Sequence, residues 1–515
     1  MTTPAIKTRG PNHRWLVLGF VAIAQLMVVL DATIVNIALP DAQHALGFAN
    51  TDRQWIVTAY ALAFGSLLLL GGRLSDMFGR KYTFIGGAAG FAIASAVGGA
   101  STSFGMLVTA RAAQGVFGAV LAPAALSTLV STFRDPKDRG KAFGIFGSVA
   151  AGGSAVGLVL GGILTEYLSW RWSLYVNLAF AALAIYGAVR YFDNERPAVR
   201  PKLDVVGTLL ASGGLFGIVF GFSHASTGGW GSTVTVISLA AGALLLAGFV
   251  IAESRVAHPL LPLRIITDRT RGGAYTAVGV AGTAIFGVFL FLTYFLQQEK
   301  GFSPVRSGLA FLPMTAAIMI SANISTVVTL PKFGPRVHIV TGMVFGGVAM
   351  LYLSRLSLSS GYVADILPAL LLMGFGFGMV FAPAINTATA GVARADSGVA
   401  SALVNTMQQV GGSVGTALLS TIAASATTGY VSAHHVTTAL GGEVAATHGY
   451  TVAFDVAAGL FALGAVLAGT MLPSRAAFLG KIRETDAANA SLTVRSATDD
   501  ASSDDIAAHA VHSGV

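Results

Sequence analysis

One aspartate lies inside the first long apolar run of the sequence, where a charged side chain is costly. The run begins at Trp15 and holds no other ionisable side chain before Pro40. A helix rising 1.5 Å per residue would carry Asp31 roughly 24 Å from Trp15. A carboxylate inside a bilayer costs roughly 2.5–3.5 kcal/mol on insertion scales. We therefore predict a functional Asp31, against the alternative that it caps the helix or reaches the headgroups.

A second charge, Arg111, lies within another apolar run, in the sequence Arg111-Ala112-Ala113-Gln114-Gly115. An unpaired guanidinium facing hydrocarbon is energetically improbable, so Arg111 is predicted to face the interior of a helix bundle. The sequence does not establish whether Arg111 contacts Asp31.

The composition identifies the elements that must position these charges. The chain has 515 residues, of which 54% are hydrophobic and 10% charged, whereas soluble domains carry about 25% charged residues. We therefore predict an all-α integral membrane protein. It has no cysteine, which excludes disulfides and thiol chemistry. Apolar runs of span length number fourteen, at 15–38, 54–72, 82–100, 105–131, 141–164, 172–190, 204–223, 233–252, 272–296, 307–330, 336–356, 363–390, 398–425 and 450–472.

The basic residues indicate the orientation of these spans. If the N-terminus is cytoplasmic, the inner loops and tails hold 25 of the 31 Lys and Arg residues. This asymmetry predicts both termini inside and a multi-pass protein of the cell membrane. The exceptions are Arg111 within a span and, on the outer side, Arg53, Arg171, Lys300, Arg306 and Arg355.

A short repeat indicates two related halves. Phe78-Gly79-Arg80-Lys81 is echoed by Phe333-Gly334-Pro335-Arg336, and each opens a new apolar run. Parallel halves of this kind are typical of transporters that rock between two states. We predict a cytoplasmic segment 1–14, a six-helix bundle 15–190, two additional helices 204–252, a second six-helix bundle 272–472 and a disordered cytoplasmic tail 473–515.

The loop between spans two and three, Gly72-Arg73-Leu74-Ser75-Asp76-Met77-Phe78-Gly79-Arg80-Lys81, resembles the signature loop of the major facilitator superfamily. Asp76 lies among Arg73, Arg80 and Lys81 and can exchange partners as the helices shift. The resemblance implies a conformational switch at Gly72, Asp76, Gly79, Arg80 and Lys81. The alternative is an ordinary positive-inside loop.

Two further stretches resemble the same superfamily. Arg111–Gly115 is similar to its Arg-x-x-Gln-Gly motif, whose arginine is implicated in proton transfer. Gly153, Gly157 and Gly161 repeat every four residues, so they form one small stripe on a helix that lets a neighbour approach and slide. The stripe is similar to the motif characteristic of antiporters, although Leu158 replaces its proline. The alternative interpretation is that the stripe is a general packing interface between helices.

Residues 30–40, Trp170-Arg171-Trp172 and residues 396–406 resemble the 14-helix drug:H⁺ antiporter branch of the superfamily. The branch implies export of small amphipathic compounds in exchange for protons by alternating access. Asp31 and Arg111 are then expected to couple protons, and Asp455 either joins them or reaches the outer interface. Ala179 and Gln408 depart from the branch and indicate a distinct substrate range. Polar residues expected to line the cavity are Asn36, Gln114, Asn177, Gln297, Asn405 and Gln408.

Other functional classes find little support in the sequence. No Gly-x-x-x-x-Gly-Lys-Ser/Thr phosphate loop is present, so no ATP motif is recognised. We expect no enzymatic activity, cofactor, metal or nucleic-acid partner. The expected partners are protons, a small amphipathic substrate and the lipid bilayer, with the monomer as the functional unit. The alternatives are a proton-coupled importer of a defined metabolite and a non-transporting membrane sensor.

Overall fold

A computed structural model describes the protein as a bundle of long helices. It describes residues 12–133, 135–193, 204–256, 259–389, 392 and 397–480, and every regular element among them is helical. The first group of helices is α1 (Asn12–Leu46), α2 (Gln54–Phe78), α3 (Arg80–Gly99), α4 (Phe104–Thr132), α5 (Pro136–Tyr167) and α6 (Trp172–Tyr191). A hairpin follows, of α7 (Val205–Gly228) and α8 (Thr233–Arg255). The last group is α9 (Leu263–Ile266), α10 (Arg269–Tyr294), α11 (Pro304–Ala310), α12 (Leu312–Ile324), α13 (Leu330–Leu353), α14 (Leu367–Thr389), α15 (Ser397–Ala433) and α16 (Ala439–Met471).

Thirteen helical stretches in the described part of the chain are long and apolar enough to cross a membrane. One of them, Pro304–Leu353, has 50 residues, although about 20 suffice for one crossing. Gly334 interrupts this stretch with a φ of 78° and a ψ of 169°. Counting it as two passes gives fourteen, and the prediction of an all-α membrane fold is confirmed.

The two echoing loops share a backbone feature. Gly79, between α2 and α3, has a φ of 88°, and Gly334 has a φ of 78°. Only glycine adopts this region without strain, so a glycine is required at each helix break. We call the end of the bundle that holds Gly79 and Gly334 the signature-loop end. The opposite end, where α2 begins after Arg53, is the Arg53 end.

The α7–α8 hairpin is attached to both groups of helices through α7. Gln54 Nε2 of α2 donates a hydrogen bond of 2.9 Å to Ser223 Oγ. Thr421 Oγ1 of α15 donates one of 2.6 Å to the Phe222 carbonyl oxygen. The opposite face of the hairpin is apolar and exposed, as expected for a surface in contact with lipid.

Part of the segment that is predicted to be disordered is helical in the structure. Disorder is predicted from residue 473, but residues 475–480 form a helical turn. Arg475 Nε donates 2.8 Å to the Pro331 carbonyl oxygen, and Phe478 is buried. These contacts anchor the turn, which lies within the segment that is predicted to be disordered. Residues 1–11 and 481–515 lie outside the described residues, so the predictions for the N-terminal segment and the rest of the tail stay predictions.

Candidate functional site

Asp31 lies at the centre of a polar cluster that no solvent reaches. Its side chain is completely buried in α1. Its Oδ2 accepts a 2.6 Å hydrogen bond from Arg111 Nη1 of α4. Its Oδ1 accepts bonds of 2.9 Å from Gln114 Nε2 and 2.8 Å from Asn177 Nδ2 of α6. Three donors therefore stabilise the ionised carboxylate, and the alternative that Asp31 reaches the headgroups does not fit this geometry.

Arg111 is held from three further directions. Its Nε donates a hydrogen bond of 3.1 Å to the Ile56 carbonyl oxygen, and its Nη1 donates one of 2.8 Å to Gln114 Oε1. The guanidinium carbon lies 4.4 Å from the centre of the Tyr60 ring. A buried ion pair is stable only when geometry and additional hydrogen bonds offset the cost of removing both charges from water. The cluster meets that condition.

The glycine stripe brings α5 against the turn of α1 that carries Asp31. A Cβ at Gly157 would overlap Thr33 Oγ1 and would lie 3.1 Å from the Leu30 carbonyl oxygen. A Cβ at Gly161 would lie 2.7 Å from Ile34 Cγ1, and one at Gly153 would lie 3.0 Å from Leu26 Cδ1. The close approach of the two helices therefore requires glycine at Gly157 and Gly161.

Among the predicted cavity residues, only Gln114 and Asn177 contact Asp31. Both are completely buried, so in this structure they complete the ion-pair cluster and do not line an open cavity. Asn36 Nδ2 donates 2.9 Å to the Ala32 carbonyl oxygen of its own helix. Gln297 Nε2 donates 3.0 Å to the Ile37 carbonyl oxygen of α1.

Three of the predicted site residues lie on helices outside the cluster. Asn405 is exposed and Gln408 half-buried on α15, and Asp455 is exposed on α16. None of these side chains has a hydrogen bond to the cluster among those found in the described part of the chain. Their assigned roles stay predictions.

Sequence reasoning missed two members of the cluster. Ser95 Oγ accepts hydrogen bonds of 2.6 Å from Gln114 Nε2 and 3.4 Å from Asn177 Nδ2. It therefore fixes the orientation of both side-chain amides. Tyr60 supplies the aromatic face beneath Arg111. A serine and a tyrosine in apolar helices carry no local signal of such a role, because only the packing of α2, α3 and α4 brings them to the cluster.

The signature loop joins several elements at its end of the bundle. Lys81 Nζ donates 2.8 Å to the Val189 carbonyl oxygen and 3.1 Å to that of Phe192, which ties α3 to the end of α6. Arg73 Nη2 donates 3.2 Å to the Pro259 carbonyl oxygen, in the connection between α8 and α9. An added Cβ on Gly72 would lie 3.9 Å from Pro123 Cβ, which is an ordinary contact distance. The side chain of Asp76 lies outside the described residues, so its exchange of partners stays a prediction.

The two groups of helices meet at the Arg53 end. The guanidinium carbon of Arg53 lies 4.0 Å from the centre of the Tyr294 ring and 5.2 Å from that of Tyr450. Arg53 Nη1 also donates 3.1 Å to Tyr450 Oη. We call these three residues the Arg53 clamp. Arg53 precedes α2, whereas the tyrosines belong to α10 and α16, so the clamp joins the two groups.

A second contact between the two groups of helices lies at the same end of the bundle as the clamp. Glu166 Oε2, near the end of α5, accepts 2.9 Å from the Val305 backbone nitrogen at the start of α11. A Cβ at Gly162 would lie 2.7 Å from Val305 Cα, and one at Gly308 would overlap the Leu158 carbonyl oxygen. The helices are therefore in backbone contact, and the Arg53 end is closed.

Two groups of membrane helices, the first of which encloses a buried ion pair, are typical of a secondary transporter. The chain belongs to the Major Facilitator Superfamily, whose profile matches residues 21–416.

Relatives with this sequence pattern include proteins named for antibiotic resistance and export. The chain is 47% identical over 470 residues to the puromycin resistance protein pur8 of Streptomyces alboniger, covering 91% of this chain and 93% of that protein. It is 38% identical to the cephamycin export protein CmcT of Amycolatopsis lactamdurans, covering 79% and 84%. It is 35% identical to the tetracenomycin C resistance and export protein of Streptomyces glaucescens, covering 82% and 78%.

Solved structures share the fold at low sequence identity. The structure of the POT family transporter PepTSo matches with a TM-score of 0.65 at 15% identity, over 90% of this chain and 99% of that chain. An inward-facing bacterial homolog of the human lysosomal transporter Spinster matches with a TM-score of 0.63 at 14% identity, over 92% and 99%.

Proposed function

We propose that the protein exports small amphipathic drugs or antibiotics across the cell membrane in exchange for protons. The observation that carries the proposal is the buried Asp31–Arg111 pair, in a chain whose relatives are named for resistance to puromycin or export of cephamycin. An ionisable group inside a membrane bundle is by default part of an ion or substrate pathway.

In this mechanism Asp31 is the group that takes up and releases the proton. As a carboxylate it is stabilised by Arg111, Gln114 and Asn177. Protonation of Asp31 neutralises its charge and therefore removes the attraction to Arg111. One carboxyl oxygen then becomes a hydroxyl donor, and this hydroxyl needs an acceptor. Asn177 Oδ1 is buried and without a partner in the described structure, so it is suited to that role. Protonation thus changes the contacts among α1, α4 and α6.

The contacts at the two ends of the bundle suggest which end is closed. The Arg53 end is closed by the Arg53 clamp and by the packing of α5 on α11. At the signature-loop end, Ile145 and Ser148 of α5 border an open surface depression of about 560 Å³ that also reaches Trp15 and Lys141 and does not extend to Asp31. With the termini cytoplasmic, as the basic residues predict, the structure corresponds to a state that is closed to the outside.

Drug accumulation in a host that lacks its own exporters tests the proposal. We expect cells that express the protein to accumulate less puromycin, and a protonophore to remove the difference. Puromycin is the probe because of the relative at 47% identity, and a panel of other amphipathic compounds defines the range. Higher accumulation in the presence of the gradient would instead indicate an importer, and no difference for any compound would contradict transport of this class.

Replacing Arg53 with alanine is expected to favour opening at the Arg53 end. The change removes a cation–π contact and a hydrogen bond between the two groups of helices, together worth about 1–3 kcal/mol. The opening equilibrium should then rise roughly 5- to 150-fold. Because the chain has no cysteine, Ser307→Cys provides a single buried thiol on α11. Its rate of labelling by a membrane-impermeant maleimide measures the opening.

Arg171→Ala is the matched control for this measurement. Arg171 Nη2 donates 2.8 Å to the Ser101 carbonyl oxygen, and its guanidinium carbon lies 4.4 Å from the centre of the Trp170 ring. Both partners belong to the first group of helices, so the change removes similar contacts without releasing the second group. Equal labelling rates in the Arg53 and Arg171 variants would contradict the clamp.

A further inference from the structure

Two carboxyl groups meet at the signature-loop end of the α7–α8 hairpin, outside the Asp31 cluster. Asp204 caps the start of α7, and Glu253 lies in the last turn of α8; they are 7% and 4% exposed. Asp204 Oδ1 accepts 2.7 Å from the Gly207 backbone nitrogen, and Glu253 Oε2 accepts 3.1 Å from that of Leu261. The remaining oxygens, Asp204 Oδ2 and Glu253 Oε1, are buried and without a partner among the described residues.

Gly207 shows that these two oxygens face the same small space. A Cβ on Gly207 would lie 2.5 Å from Asp204 Oδ2 and 2.6 Å from Glu253 Oε1. Among the residues that the structure describes, Asp204 is the only charged group that acts on the Glu253 carboxyl. Arg255 is exposed and, two residues along the helix, lies on another face.

Two adjacent carboxylates without a counter-ion among the described residues cannot both be ionised at little cost. They instead hold one proton as a coupled pair, as in sites where like charges lie side by side. A shared proton also satisfies both orphaned oxygens, since one becomes a hydroxyl donor and the other accepts it. We propose that Asp204 and Glu253 form a second proton-binding site, in which one proton is shared between Oδ2 and Oε1.

The site is linked to the signature loop through the connection after α8. Glu253 accepts a hydrogen bond from the backbone nitrogen of Leu261, whose side chain is buried. Two residues before Leu261, the Pro259 carbonyl oxygen accepts a hydrogen bond from Arg73. The shared proton therefore stabilises a joint between the hairpin, residues 259–262 and α2. Loss of the proton places two negative charges together and loosens that joint.

Thermal unfolding of the purified full-length protein in detergent, followed from acidic to mildly alkaline pH, tests this site without any transport. The folded pair keeps its proton at pH values at which the unfolded carboxyl groups have already released theirs, so stability falls as the pH rises until the folded pair is also deprotonated. We expect the unfolding midpoint of the wild-type protein to fall by a few degrees. In Glu253→Gln the amide donates permanently to Asp204, so the midpoint should match the wild type at the low-pH limit and fall less above it.

Glu443→Gln is the control for removal of a carboxylate elsewhere in the protein. Glu443 is exposed on α16 and acts on Glu299, so this variant measures a part of the slope that does not come from the pair. If Glu253→Gln fails to fold, Asp204→Asn gives the same comparison. An infrared band of a protonated carboxyl group at neutral pH should be present in the Glu443 variant and reduced in the pair variant. The proposal is overturned if the unfolding midpoint falls with pH equally steeply in the wild-type protein and in Glu253→Gln or Asp204→Asn. It is also overturned if Mg²⁺ raises the wild-type midpoint and a chelator lowers it, with neither effect in Glu253→Gln, because the pair then holds a cation.

Discussion

Asp31→Asn is expected to abolish proton-driven export and to lower stability. The amide keeps the size of the side chain but cannot titrate, so no proton is exchanged at this position. It also leaves the Arg111 guanidinium buried without its counter-ion, and breaking one partner of a buried ion pair costs about 3–5 kcal/mol. Export of puromycin with and without a proton gradient, together with the unfolding midpoint of the purified variant, measures both effects.

The double variant Asp31→Asn, Arg111→Gln separates titration from folding. It removes both charges and leaves neutral amides in a network already rich in hydrogen-bond partners. We expect it to be more stable than Asp31→Asn and equally inactive. Recovery of gradient-dependent export together with stability would show that Asp31 acts only as a structural partner of Arg111.

Gly157→Val is expected to separate α5 from α1 and to eliminate export. An added Cβ would overlap Thr33 Oγ1 and crowd the Leu30 carbonyl oxygen, and these residues flank Asp31. Overpacking of this kind costs about 1–3 kcal/mol, and relief by movement of α1 displaces the carboxylate from its three donors. The amount of folded protein in the membrane and the export rate per molecule are the two measurements.

Gly152→Val is a matched control on the same helix. An added Cβ at Gly152 meets no atom within 4 Å, so the change has the same helix propensity and no clash. We expect near-normal folding and export. If both valine variants lose folding and export to the same extent, the loss comes from the low helix propensity of valine. The close contact of Gly157 with α1 is then not required for export.

The sequence is sufficient to predict that Asp31 and Arg111 belong to a functional site, because the energetic cost of a charge in an apolar run depends only on the neighbouring residues. A carboxylate or guanidinium in an apolar run is visible without any knowledge of the fold, and the fourteen runs are visible for the same reason. The sequence also shows that Gln114 follows Arg111 by three residues, on the same helix face. Its contact with Asp31, and that of Asn177, depends on how α1, α4 and α6 pack.

Contacts between distant parts of the chain could not be predicted in this way. Arg53 was assigned only an outer position, because nothing near it in the sequence indicates Tyr294 or Tyr450. Asp204 and Glu253 lie at the ends of two different apolar runs, where acidic residues are common. Only the antiparallel hairpin brings them together, and their unusual state arises from that proximity.

The attachment of α7 to both α2 and α15 has a mechanical consequence. Any motion that slides α2 past α15 must stretch or break either the bond from Gln54 to Ser223 or the bond from Thr421 to Phe222. The hairpin is thus a tether between the two helices, and it limits the amplitude of that motion. A compound that wedges between α7 and either neighbour from the lipid side would hold the tether at one extension. Such a compound would block turnover without competing for the substrate.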